Sequence, residues 1–169
     1  VNSALKTDVF YQAHGEKQKI LEIAAKSLVY GEIEPSVLKL KEELDLNENP
    51  IVIETFDIST LFGQDSVGSM VQFVNGKANK NEYRRFKIKT VIGQDDFAMI
   101  REVVYRRYSR LLQESKKMQD LVLIDGGAGQ IHFAMKGLEE AGVNLPIASL
   151  AKKEEEIYLP NKMRPLRLS

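Results

Sequence analysis

Two aspartates stand where apolar runs end. In "IETFDIS" Asp57 follows one such run, and in "LVLIDGGAGQ" Asp125 closes four apolar residues and a glycine pair comes next. A carboxylate at the end of a buried strand loses hydration, a cost that calls for a partner. Ligand sites in open α/β sheets lie just outside the carboxyl ends of strands. Gly126, Gly127 and Gly129 permit positive φ and leave room for a ligand's backbone, and a helix starting after them offers N–H groups to an anion. Two carboxylates brought side by side repel each other, and a shared Mg²⁺ or Mn²⁺ relieves that repulsion while keeping positions for phosphate oxygens and water. The chemistry this points to is in-line attack of water on a phosphodiester, with Asp57 and Asp125 as metal ligands and catalytic residues. Taken singly, each aspartate is equally well explained as a cap, Asp125 on the following helix and Asp57 on a turn. Only their pairing favours a metal site, and pairing is a matter of fold.

The elements that would bring them together follow from periodicity. Residues 1–50 read as a helical lead-in: "GEKQKILEIAAKSLV" spaces Ile20, Ile23, Ala24 and Leu28 helically, and "PSVLKLKEELDL" carries Pro35 near its start. "NENP" ends that pattern. Three β-rich stretches follow: "IVIETFDIS", "VGSMVQFVNG" with Asn75-Gly76 as a hairpin signal, and "EYRRFKIKTV". In the third, Tyr83, Arg85, Lys87 and Lys89 alternate with Arg84, Phe86 and Ile88, so one face is largely basic and the other largely apolar. Residues 94–114 form a helix with Asp95 and Asp96 at its N-terminus and a stripe of Phe97, Ile100, Val103, Val104, Tyr108 and Leu111. The strand "DLVLIDGG", the helix "GQIHFAMKGLEEAG" and the strand "IASLA" complete the set, with "EEIYLP" a further candidate strand. The order β-β-β-α-β-α-β predicts an α/β fold of ribonuclease H-like type, a mixed five-stranded sheet of order 3-2-1-4-5 with flanking helices. There the first and fourth strands are parallel neighbours, which sets Asp57 beside Asp125.

Bulk properties narrow the classes. The 169 residues hold no cysteine, which excludes disulfides and thiolate metal sites and fits a cytoplasmic protein. No apolar run approaches the ~20 residues of a membrane span, and "VNSALKTDVFYQ" does not read as a signal peptide. The 24 basic and 24 acidic residues balance, but unevenly: residues 77–118 hold twelve Lys/Arg against five Asp/Glu, and residues 1–50 six against nine. A basic middle suits a polyanion such as DNA, and equally a solvated face.

The densest signal is a resemblance. "IETFDIS", "GSMVQFVNGKANKNEYRRFKIKT", "DDFAMIREVVYRRYSRLL", "LVLIDGGAGQ" and "ASLAKKEEEIYLP" fall in the order and spacing of the C-terminal half of UvrC, the nuclease subunit of bacterial nucleotide excision repair, over roughly residues 14–160. The resemblance implies a ribonuclease H-like endonuclease domain at 51–169 that makes the incision 5′ to a lesion, with Asp57 and Asp125 as its two catalytic aspartates. It implies damaged double-stranded DNA as substrate and UvrB as partner through regions outside this chain. The family's third catalytic residue is a histidine in a later "DE-x-HRF"-like helix, which neither His14 nor His132 matches. The family's N-terminal nuclease domain, UvrB-interaction segment and helix-hairpin-helix domain are likewise not in this sequence. The expectation is a fragment lacking the C-terminal part of its domain, with little incision of its own.

Arg84, Arg85 and Lys87, with Lys89, are expected to carry DNA phosphates, extended by Arg106, Arg107 and Arg110, and Lys152 with Lys153 to approach the scissile phosphate. The competing expectation for each is solvated charge. Glu155 and Glu156 read as a solvated run before a metal ligand, Tyr83 as a stacking candidate, and Tyr108, Met99, Met118 and Met135 as packing residues. Two rival functions remain: a catalytically silent DNA-binding or scaffolding module of the same fold, and a nucleotide-binding domain using "DGGAGQ", which lacks the lysine and hydroxyl of a P-loop.

Overall fold

The structure is a computed structural model that describes residues 29–61, 65–153 and 155–167. The chain divides into two compact units, Val1–Pro35 and Ser36–Ser169. The expected helix over 15–29 lies almost wholly outside the described residues. The second unit holds the sheet and its helices.

Its elements are α1 (Pro35–Glu43), β1 (Val52–Leu61), β2 (Asp65–Val74), β3 (Lys77–Ala78), β4 (Arg84–Lys87), α2 (Asp96–Gln113), β5 (Leu121–Asp125), α3 (Ala128–Glu140), β6 (Ile147–Ala151), β7 (Glu156–Tyr158) and β8 (Leu166–Arg167). The sheet runs β3-β2-β1-β5-β6-β7-β8, and β4 pairs with β2 along Val67–Met70, next to the stretch that β3 pairs. The predicted order survives as β4-β2-β1-β5-β6. Eight strands stand where five were expected, because the short β3, β7 and β8 extend the edges. β1 is antiparallel to β2 and parallel to β5, and β5 is parallel to β6. Asn75 (φ 48°) and Gly76 (φ 75°) make the two-residue hairpin into β3, both in the left-handed region that such turns require.

Both long helices lie on one face. Phe56, Met70, Val122 and Ile124 from the sheet meet Ile100, Val103, Val104, Tyr108 and Leu111 of α2 and Ile131, Ala134 and Leu138 of α3. Phe56 is completely buried, so truncating it to alanine should cost about 3–5 kcal/mol. Small residues let backbone approach. A Cβ on Gly137 would sit 2.7 Å from the Arg101 carbonyl oxygen, so α3 crosses α2 there backbone to backbone, and a Cβ on Gly68 would meet Val103 at 2.6 Å. The other face buries Ile53, Leu121, Ala148 and Ile157 beneath Leu44, with Leu40, Leu46, Leu123 and Leu150 alongside.

β4 is shorter than the sequence suggests. The N–H groups of Lys89 and Thr90 leave the ladder and donate to the Glu102 carboxylate at 2.9 and 2.8 Å. Asp95 caps α2 as expected, accepting from the Ala98 N–H at 3.0 Å.

Candidate active site

Strand parity builds the site. The parallel pairing of β1 and β5 runs Ile53↔Leu121 to Phe56↔Ile124, so Asp57 and Asp125 follow one position further along each strand. Phe56 and Ile124 face the helices, so both aspartates face the opposite side. The antiparallel register adds Ser69 opposite Asp57 and Arg85 opposite Ser69. On the other flank Leu150 stands opposite Asp125. One row across one face therefore reads Arg85, Ser69, Asp57, Asp125, Leu150. Lys87 shares the face one step along, opposite Val67.

The two carboxylates feel each other. Partial loss of hydration pushes the Asp57 carboxyl above the ordinary range, the charge of Asp125 pushes it further, and Lys152 and the Ile58 N–H pull it back; Asp96, in the first turn of α2, adds to the upward push. Lys152 follows the last residue of β6. Its ammonium donates to Asp125 Oδ2, and that bond, with the charges of Asp125 and Asp57, raises the lysine's own pKa. Lys152 thus lies on the carboxylate pair, its side chain 68% exposed beside a largely covered Asp125.

The glycines after Asp125 have a different reason from the one expected. None takes positive φ; those that do are Gly31, Gly76, Gly93 and Gly142. A Cβ on Gly126 would overlap Gln130 Oε1 at 1.3 Å, and one on Gly129 would meet the Phe97 ring at 2.7 Å. At those two positions a side chain would displace Gln130 or the Phe97 ring. Gly127, at the α3 N-terminus with φ −89°, has open space around its missing side chain.

The predicted basic residues separate into two sets. Arg85 and Lys87 share the aspartates' face. Arg84 points the other way in parity, and its guanidinium is held by Glu82 at 2.9 Å and by the carbonyls of Asn81 and Tyr83. Arg106 bonds Glu102 and the Lys87 carbonyl, both at 2.8 Å, and lies over the Phe86 ring. Arg107, expected on a DNA surface, is instead an interior residue: its side chain is 11% exposed and forks onto Glu54, which is wholly buried, at 2.6 and 3.2 Å. Tyr108, 3.2 Å from Glu54, packs in the core as expected. Arg110 pairs with Glu114 on the helix surface, and Glu156 accepts from the Tyr158 hydroxyl at 2.8 Å. Met135 is more exposed than a packing residue should be.

The sequence reading missed Glu54 and Glu102, the two buried carboxylates that brace α2 against the sheet and against the β4 exit. Glu54 had a visible signal, a charge inside the apolar run "IVIETF". Glu102 showed only its i,i+4 spacing to Arg106, because its other partners, the Lys89 and Thr90 N–H groups and the Thr90 hydroxyl, come from the β4 exit. Among the described residues no group of three or more His, Cys, Asp and Glu is placed to hold a metal. The fit is to an ion that takes two carboxylates and fills its remaining positions with water and phosphate, as Mg²⁺ does.

A mixed sheet of this order, with an acidic pair on its two neighbouring central parallel strands, defines a ribonuclease H-like domain. Comparison with known proteins agrees: a sequence model of the UvrC RNase H endonuclease domain matches residues 41–169, and the chain belongs to that family. It is 52% identical over 155 residues to UvrABC system protein C of Methanococcus maripaludis, covering 90% of this chain and 29% of that protein. The namesake from Methanosarcina acetivorans is 47% identical over 163 residues, covering 95% and 32%. The chain thus spans about a third of the length of these relatives. Ciona intestinalis endonuclease V, solved with inosine-containing DNA, aligns with a TM-score of 0.44 at 15% identity, over 68% of this chain and 55% of its own. No helix among the described residues is long and apolar enough to cross a membrane.

Proposed function

We propose that residues 51–169 are a metal-dependent DNA endonuclease domain that hydrolyses a phosphodiester in line, on the 5′ side of damage in duplex DNA, as part of cytoplasmic nucleotide excision repair in which UvrB is the partner. The observation that carries this reading is the register that sets Asp57 and Asp125 side by side on one sheet face, with Arg85 and Lys87 on the same face. Asp57 and Asp125 would hold Mg²⁺ or Mn²⁺, which when bound supplies positive charge at the phosphate and acidifies a water. Arg85 and Lys87 bind backbone phosphates and set the duplex across β4, β2 and β1. Lys152 balances the carboxylate pair before the nucleic acid arrives and then stands within reach of a phosphate oxygen.

One observation favours the catalytically silent alternative: Lys152 already neutralises Asp125, and the described residues offer no third ligand. Titrating the chain with Mn²⁺ and following the free ion by electron paramagnetic resonance separates the two. Weak binding that vanishes in Asp57→Asn and in Asp125→Asn is the expected result. Both amides preserve shape, and Asp57→Asn should be as stable as the parent at pH 7 or more so, since the folded protein holds that carboxyl above its ordinary pKa. Mn²⁺ binding by Asp57→Asn at parental strength would remove Asp57 from the site.

A further inference from the structure

The segment between β4 and α2 is held at both ends and projects in the middle. At its start the Lys89 and Thr90 N–H groups and the Thr90 hydroxyl, at 2.9, 2.8 and 2.6 Å, all donate to Glu102, a carboxylate only 7% exposed. At its end Asp95 caps α2, and the Phe97 ring stacks on Phe133 at 5.3 Å between centroids and lies against Gly129. Between these anchors Gly93 turns the chain at φ +86°, and Ile92 is 99% exposed. A single exposed aliphatic is ordinary on a protein surface. A buried carboxylate given over to fixing the base of the loop that displays it is not.

The loop's position follows from the topology. β4 and β1 are both antiparallel to β2, so β4 runs in the same direction as β1 and β5; it ends at Lys87, level with Ser59, two residues past Asp57 toward the same end of the sheet. α2 then starts against the first turn of α3, directly after the Asp125 turn, and the charge of Asp96 reaches Asp57. Arg85 and Lys87 lie on the strand that feeds the loop, and Lys89 at its base.

We propose that Ile92 is an apolar wedge against the bases of the bound duplex, beside the phosphate presented to Asp57 and Asp125, and that it unstacks a base step there. This rests on the reading of the same face as a DNA-binding nuclease site. Aliphatic side chains inserted at a base step are a recurrent means of kinking duplex DNA. Only four residues separate the Thr90 anchor from the Asp95 cap.

The test uses the 169-residue chain with a lesion-bearing duplex, measuring affinity over a salt series and permanganate reactivity of unstacked thymines. Ile92→Ala should leave thermal stability unchanged, weaken binding about tenfold by removing apolar contact, keep the salt slope, and abolish the extra permanganate reactivity. Ile92→Leu should restore both. Arg85→Ala, the control for the underlying reading, should weaken binding with a shallower slope. If Ile92→Ala binds and unstacks like the parent while Arg85→Ala is weakened, the wedge is wrong and the DNA face stands. If the parent chain does not bind duplex at all, both fall together.

Discussion

Replacing Arg107 with alanine separates a structural arginine from a DNA-binding one. Arg107 donates through Nη2 and Nε to the two oxygens of Glu54, which also accepts from Gln72 Nε2 and the Tyr108 hydroxyl, each at 3.2 Å. Glu54 is 0% exposed. Alanine at 107 removes two charge-assisted bonds and leaves a buried carboxylate with two neutral donors. Hydrogen bonds to charged groups contribute roughly 1.5–3 kcal/mol each, and breaking a buried pair from one side costs about 3–5 kcal/mol. We expect a loss of about 4 kcal/mol, which for a chain of this size lowers Tm by about 10 °C. Urea denaturation followed by circular dichroism measures it. Arg107→Lys should recover little, because an ammonium does not reproduce the fork. Replacing Glu54 and Arg107 together by leucine should cost less than Arg107→Ala alone, since no charge is stranded. DNA affinity of the folded fraction and its salt slope should not change. The reasoning fails if Arg107→Ala unfolds within ~0.5 kcal/mol of the parent and binds DNA more weakly, because the guanidinium would then face solvent and phosphate.

Lys152→Ala should tighten Mn²⁺ binding by up to about fivefold, the limit for removing an exposed ion pair that competes for Asp125; weaker binding in the same resonance titration would show that the lysine organises the pair instead. Burial pushes the Glu102 carboxyl up, but bonds from the Thr90 hydroxyl and N–H, the Lys89 N–H and Arg106 outweigh it and hold the folded pKa below 4.5. Its contribution is therefore present above the unfolded value and lost as pH falls through the lowered folded one. Glu102→Gln should flatten the acid limb of urea midpoints measured below about pH 5, and an unchanged limb would contradict the assignment. Gly137→Ala should destabilise by about 1–3 kcal/mol in the same denaturation assay, because the added carbon meets the Arg101 carbonyl of the neighbouring helix.

The sequence by itself determined the local elements and their order. Period-two and period-3.6 patterns gave β1, β2, β5, β6, α2 and α3 nearly to their ends, because each needs only its own residues to form an apolar face. The alternation in "RRFKIK" likewise put Phe86 and Ile88 against the core and Arg85 and Lys87 on the opposite side. Aspartates closing apolar runs marked a candidate site for the same local reason, although β1 carries on past Asp57 to Leu61. The tertiary structure alone decided what depends on neighbours distant in sequence. Glu102 truncates β4 by taking two N–H groups that a strand would have used, and Glu54 claims Arg107 from 53 residues away. Gln130 and Phe97 pack where side chains at Gly126 and Gly129 would go, contacts that the glycine spacing did not reveal. Register, which no residue fixes alone, brought Lys152 onto Asp125 and separated Arg84 from Arg85. Charge and periodicity are properties of a segment, whereas the partner a charge finds is set by where the sheet and its helices place it.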